Sequence, residues 1–179
     1  MKLLIFGNIG CGKSSISNEI INSNKTFSLI NIDDFRRNFG DGSMKKERLA
    51  KANFIEAIDI NTSNQIIECS GLGDTGEMVF ERLCKSDDVK IVIVLLAEPS
   101  ICNERLKNRI WDIPYPDKTS NVSKLIEKQS VIYKTDELKD KWSKQTQTIF
   151  FIFNNNNIEE FQKNCQLIKS LINEAKRNN

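Results

Sequence analysis

The sequence predicts an α/β fold, with helices packed on both faces of a mainly parallel, five-stranded sheet. Three observations carry that expectation. Short apolar runs closed by glycine or an acid alternate with helix-period segments along the chain. The run Val89–Leu96 is β-branched, continuous and apolar on both faces, as a strand at the centre of a parallel sheet must be. A glycine-rich turn joins the first strand to the first helix.

The elements follow in order. Lys2–Phe6 reads as a buried strand stopped by Gly7, and Ser14–Asn22 as a helix with Ile16, Ile20 and Ile21 on one face. Phe27–Ile32 is the second strand, with Asp33 and Asp34 directly behind it. Gly40–Ser43 is a loop whose serine caps a helix from Lys45 to about Asn61, where Leu49, Ala52, Phe54, Ile55 and Ile58 keep a helical period. Gln65–Cys69 is the third strand, Thr75–Cys84 a helix and Val89–Leu96 the fourth strand. Pro99–Ile110 is a helix carrying Arg105 and Arg109 one turn apart, and Pro114 and Pro116 prevent its continuation. Val122–Lys141 is helical, Thr148–Phe153 the last strand and Ile158–Lys176 the closing helix. No repeat and no linker composition breaks this order, so residues 1–179 read as one domain.

Composition excludes whole classes of chemistry. Histidine is absent, which removes Ser–His and Cys–His nucleophiles and every histidine-ligated metal. The five cysteines are odd in number and form no C-x-x-C pair, so neither a disulfide framework nor a zinc cage is expected. Reduced thiols of a cytoplasmic protein fit that pattern. The longest apolar run, Ile91–Ala97, is far short of the ~20 residues a bilayer span needs. The apolar stretch before Gly7 is too short for a signal peptide. With 26 basic and 24 acidic residues the net charge is +2, so any polyanion site must come from local clustering.

Gly7-Asn8-Ile9-Gly10-Cys11-Gly12-Lys13-Ser14 fits G-x-x-x-x-G-K-[ST], the P-loop pattern, and it sits between a strand and a helix as that pattern requires. Glycines let backbone N–H groups converge on phosphate oxygens, and the helix N-terminus adds its positive dipole. Asn8, Ile9, Gly10, Cys11, Gly12, Lys13, Ser14 and Ser15 are therefore the candidate ATP ligands. Lys13 reaches the outer phosphates and the Ser14 hydroxyl ligates Mg²⁺. Cys11 reads as a small side chain filling a loop position, or as a thiol whose pKa Lys13 lowers. No N-K-x-D segment reads guanine, and Val89–Leu96 runs into Ala97-Glu98 rather than an aspartate. The small P-loop kinases remain, a three-layer fold with a short helical lid, here about residues 105–120.

Ile30-Asn31-Ile32-Asp33-Asp34-Phe35-Arg36 resembles the D-D-x-R motif of phage and bacterial polynucleotide 5′-hydroxyl kinases, with Asp33 twenty residues after Lys13 as in that family. Arg105-Leu106-Lys107-Asn108-Arg109, with Pro114 five residues on, is similar to their R-x-x-x-R lid helix. The likeness covers about residues 1–135 in motif order. It implies ATP- and Mg²⁺-dependent transfer of a phosphoryl group to an acceptor hydroxyl, a polynucleotide 5′ end first among candidates. Asp33 would accept the hydroxyl proton, Arg36 would hold an acceptor phosphate, and Arg105 and Arg109 would close over the triphosphate. Glu68 stands where related kinases carry an aspartate that holds Mg²⁺ waters. Asn154–Asn157 follows the last strand, where such kinases frame adenine. The loop departs from the family, reading Asn-Ile-Gly-Cys where a proline and a serine are familiar.

The acceptor stays open at this level. Arg36 to Lys51 holds six basic residues and two acids, a polyanion patch or a solvated helix face. Phe35 and Phe39 suit base stacking or a core. A compact pocket would favour a small-molecule acceptor, as in gluconate, shikimate or nucleotide kinases, and an open groove a polynucleotide. A nucleotide-dependent switch is the third reading. ATP against GTP, and monomer against dimer, are undetermined.

Overall fold

The computed structural model describes residues 1–60, 64–107, 109–110, 112–114 and 121–177. Its strands are β1 (Lys2–Gly7), β2 (Ser28–Asn31), β3 (Gln65–Glu68), β4 (Lys90–Leu96) and β5 (Thr148–Asn154). They form one sheet in the order β2-β3-β1-β4-β5, and every pairing is parallel. The middle strand is β1 rather than the 89–96 segment, although β4 is also flanked on both sides. Register brings Ile5 and Asn31 level with Glu68, so the carboxyl ends of β1, β2 and β3 meet at one edge.

The helices are α1 (Lys13–Ser23), α2 (Ile32–Phe39), α3 (Met44–Glu56), α4 (Gly73–Leu83), α5 (Pro99–Leu106), α6 (Val122–Tyr133), α7 (Glu137–Ser143) and α8 (Ile158–Arg177). Strand alternation sorts the core into two layers. Leu3, Ile5, Ile91 and Ile93 pack with Ile16 and Ile20 of α1 and Ile168 and Ile172 of α8. Leu4, Phe6, Val92 and Val94 pack with Phe54 of α3, Val79 and Leu83 of α4 and Trp142 of α7. The result is the expected three-layer α/β sandwich.

Three elements differ from the sequence expectation. Ile32, expected at the end of the second strand, and residues 33–39, for which the sequence predicts no element, form α2. Asn31 Oδ1 accepts from the Asp33 N–H at 2.9 Å, acids fill the first turn and Arg36 and Arg37 the last, so capping and dipole complementarity compensate for a thin apolar stripe. Phe35 of this helix is half-buried and packs against the core, edge-on to Phe54 at 5.7 Å. Helix α5 ends at Leu106, and the Arg109 N–H turns back to the Leu106 carbonyl at 3.1 Å. The 122–141 helix divides at Lys134–Asp136, because the Thr135 N–H and hydroxyl both donate to the Ile132 carbonyl. Of the lid region 105–120, residues 108, 111 and 115–120 lie outside the described residues. Among the described residues no helix is long and apolar enough to cross a membrane. All five cysteines are free thiols.

Candidate active site

At the carboxyl edge of the sheet, the Asn8–Gly12 loop leaves β1 and enters α1. Gly10 (φ +81°) and Gly12 (φ +98°) take left-handed conformations open to glycine. Neighbours also exclude a Cβ: at Gly10 it would meet the Cys102 carbonyl oxygen at 2.7 Å, at Gly12 the Asn155 amide at 2.5 Å. The Lys13 ammonium folds over the loop and donates to the carbonyls of Gly7 (3.0 Å) and Asn8 (2.7 Å). Ile9 lines the neighbouring cleft, and Ser14 and Ser15 are exposed in the first turn of α1. Asn8 is buried, and its Nδ2 donates to the Ile126 carbonyl and the Ser130 hydroxyl of α6. Cys11 is fully buried, and burial pushes its thiol pKa up despite Lys13 nearby, which corrects the activated-thiol reading.

Glu68, at the end of β3, is buried and accepts from two hydroxyls, Ser14 at 2.6 Å and Ser17 at 2.9 Å. Ser17 was not apparent in the sequence. It lies one turn after Lys13, on the side of α1 that faces β3. Hydroxyl and carboxylate oxygens are hard donors that suit Mg²⁺, which binds through one or two carboxylates plus substrate phosphates. The donor set thus fits the metal the motif implies.

Asp33 stands in the first turn of α2, one turn before Arg36, and the two pair at 3.0 Å. Glu47 of α3 takes Arg36 from the other side, accepting from Nη2 at 2.7 Å and Nε at 3.0 Å. The Arg36 guanidinium is therefore sandwiched between two carboxylates. That differs from a guanidinium held open for an acceptor phosphate. Glu47 was counted in the sequence only as one of two acids diluting a basic run; its burial at a helix start is a tertiary fact. The basic run itself divides: Arg36 and Lys51 turn into the site, Arg37 pairs with Asp34 and Asp112, and Lys45, Lys46 and Arg48 stay exposed.

The two lid arginines diverge. Arg105 Nη1 donates to the Gly10 carbonyl at 3.2 Å, on the phosphate loop. Arg109, beyond the helix, reaches Asp33 at 3.7 Å. The Asn154–Asn157 run braces the site. Asn155 is buried and donates to the Cys11 carbonyl at 2.7 Å, Asn156 accepts from the Glu98 N–H, and Asn157 accepts from the Glu160 N–H at the start of α8. The adjacent cavity, lined by Asn8, Glu98, Ser130, Asn154 and Asn156 among others, is about 40 Å³.

Phosphate loop, Asp33, Arg36, Glu47, Glu68 and α6 surround one cleft of about 530 Å³. The volume is that of a small-molecule site. It lies outside the carboxyl ends of parallel strands, where open α/β sheets bind ligands.

Neither a protein-family model nor a curated protein matches the sequence. Solved structures do resemble it, and they define a class: the architecture is that of the small P-loop kinases. Shikimate kinase from Acinetobacter baumannii, in complex with shikimate, is similar with a TM-score of 0.67 at 14% identity, over 98% of this chain and 94% of that one. Shikimate kinase from Bacteroides thetaiotaomicron is similar at 0.60 and 14%, over 97% and 98%. A gluconokinase from Sinorhizobium meliloti is similar at 0.56 and 16%, over 97% and 96%. Identities this low establish the fold alone.

Proposed function

We propose that this chain is a kinase that uses ATP and Mg²⁺ to phosphorylate a hydroxyl of a small-molecule acceptor. The observation that carries the reading is one partly open cleft lined by Lys13 and by Glu68, itself bonded to Ser14, on one side and by Asp33 on the other. The neighbours' small acceptors and the size of the cleft favour this over a polynucleotide end, which rests on the D-D-x-R likeness.

Loop N–H groups and Lys13 would bind the phosphates, Lys13 exchanging its two carbonyl partners for phosphate oxygens. Ser14 and Glu68 would hold Mg²⁺, which when bound would neutralise phosphate charge. Asp33 would accept the proton of the acceptor hydroxyl as its oxygen bonds to the γ-phosphorus and the bond to the ADP oxygen breaks. Arg36, gripped by Glu47, orients the Asp33 carboxylate. Arg105 and Arg109 bring positive charge to the transferring group.

Labelled ATP and Mg²⁺ offered with a panel of hydroxyl compounds tests the reading. Transfer to a small acceptor, lost in Asp33→Asn with ATP affinity retained, is expected. Acceptor-independent hydrolysis unchanged by Asp33→Asn would instead indicate a switch, and label on an oligonucleotide 5′ end would restore the polynucleotide reading.

A further inference from the structure

The charges around the cleft are unevenly matched. Arg36 lies between Asp33 and Glu47, and Glu68 is engaged by Ser14 and Ser17. Lys51 of α3 approaches Glu47 at 3.8 Å and Asp74 at 4.0 Å. Lys13 and Arg105 belong to the phosphate loop. Two cations remain: Lys124 and Lys128, one turn apart on α6, both exposed, both lining the cleft, and neither with an ion pair among the described residues. Glu127, between them in sequence, is not part of the cleft wall.

Helix α6 is a fixed wall. Ile126, Ser130 and Tyr133 form its buried stripe at i, i+4, i+7. Asn8 of the phosphate loop bonds Ile126 and Ser130 at 3.0 and 2.8 Å, and the Tyr133 hydroxyl donates to the Ser70 carbonyl at 2.5 Å, just after β3. The two lysines are thus held in a set relation to the loop that would carry the γ-phosphate. Ammonium groups on a cleft rim draw in and orient an anion, and a neutral polyol leaves them unmatched.

We infer that the acceptor is a small hydroxylated anion, its carboxylate or phosphate received by Lys124 and Lys128 while its reacting hydroxyl faces Asp33. The inference rests on the kinase reading and names the substrate class of that site.

Matched probe pairs differing in one charge test it: shikimate against methyl shikimate, D-gluconate against sorbitol, and glycerol 3-phosphate against glycerol. Binding is measured calorimetrically on the full chain with Mg²⁺ and a non-hydrolysable ATP analogue, whose own affinity is recorded separately. In at least one pair the anion should bind roughly tenfold or more tightly than its neutral partner, the scale of a lost charge-assisted hydrogen bond. Which pair responds distinguishes carboxylate from phosphate. Lys124→Gln/Lys128→Gln should erase the preference while leaving nucleotide affinity and unfolding temperature unchanged, and added salt should weaken it in the wild type. Three results would each overturn the inference: no preference in any pair, a preference that survives in the double variant, or phosphorylation of a 5′-hydroxyl oligonucleotide ahead of every small anion. Failure of the wild type to bind the nucleotide analogue is a different result and brings down the kinase reading itself.

Discussion

Among the described residues Lys13 has no ion-pair partner; its ammonium rests on two carbonyls of its own loop, contacts that phosphate oxygens can replace. Lys13→Ala should therefore leave the fold intact and lower kcat by roughly 10²–10³-fold, the scale for one preorganised charge donor; turnover and circular dichroism on the same sample check both halves. Asp33→Asn should keep ATP affinity and lower transfer by roughly 10²–10⁴-fold, as loss of a general base does. Glu68→Gln keeps both hydroxyl contacts but not the charge, and should raise the Mg²⁺ needed for half-maximal rate by roughly 10–100-fold, read by Mg²⁺ titration. Lys13 and Asp33 stand out in the sequence because a motif fixes chemical type and spacing together; Glu68 stands out only by its place at the end of the third strand. Glu47 and Ser17 do not stand out, and Asn155, read only as part of an adenine frame, braces the phosphate loop. Each acts on a residue distant in sequence, and nothing near it in the chain announces the contact.

Helices carried the sequence errors. Helix α2 spans only eight residues, four of them charged, and its apolar positions Ile32, Phe35 and Phe39 form a narrow i, i+3, i+7 stripe directly behind a strand, a pattern too short to announce a helix. The break between α6 and α7 matters more, since it lets Trp142 turn into the core. There the indole meets Phe80 edge-on at 5.0 Å and Phe6 at 5.9 Å, fully buried. Trp142→Ala should cost about 3–5 kcal/mol, the range for removing a large buried aromatic, measured by urea unfolding. Strands were read closely throughout. A continuous apolar run of strand length bounded by glycine or an acid has few alternatives, whereas helix ends depend on side-chain bonds of the Thr135 kind.

The two core layers hold four of the five thiols, and burial raises their pKa: Cys69 from 9.0 to about 12, Cys102 from 9.0 to about 11, and Cys11 and Cys165 upward as well. A raised acid pKa means that the folded state resists ionisation. The contribution of these thiols to stability is whole below pH 9, where unfolded thiols stay protonated, and is lost as pH climbs toward 11 and 12. Urea midpoints should fall across that interval, and Cys69→Ala should flatten the fall. A slope unchanged by that substitution would exclude the thiol as its source. At neutral pH only Cys84, exposed on the surface, should react readily with a thiol reagent, the buried four waiting on unfolding.

By itself the sequence determined the fold class, the five strands and their places along the chain, the phosphate loop and the acid twenty residues beyond it. All of these rest on local periodicity or short spacing, which survive without knowledge of the third dimension. Only the tertiary structure decided what those residues face. Parallel register set Glu68 against Ser14, α3 turned Glu47 onto Arg36, the end of α5 sent Arg109 to Asp33, and Asn8 tied α6 to the loop. Such contacts join segments 11 to 118 residues apart. Side chains that far apart along the chain meet only when the sheet order and helix packing bring them together.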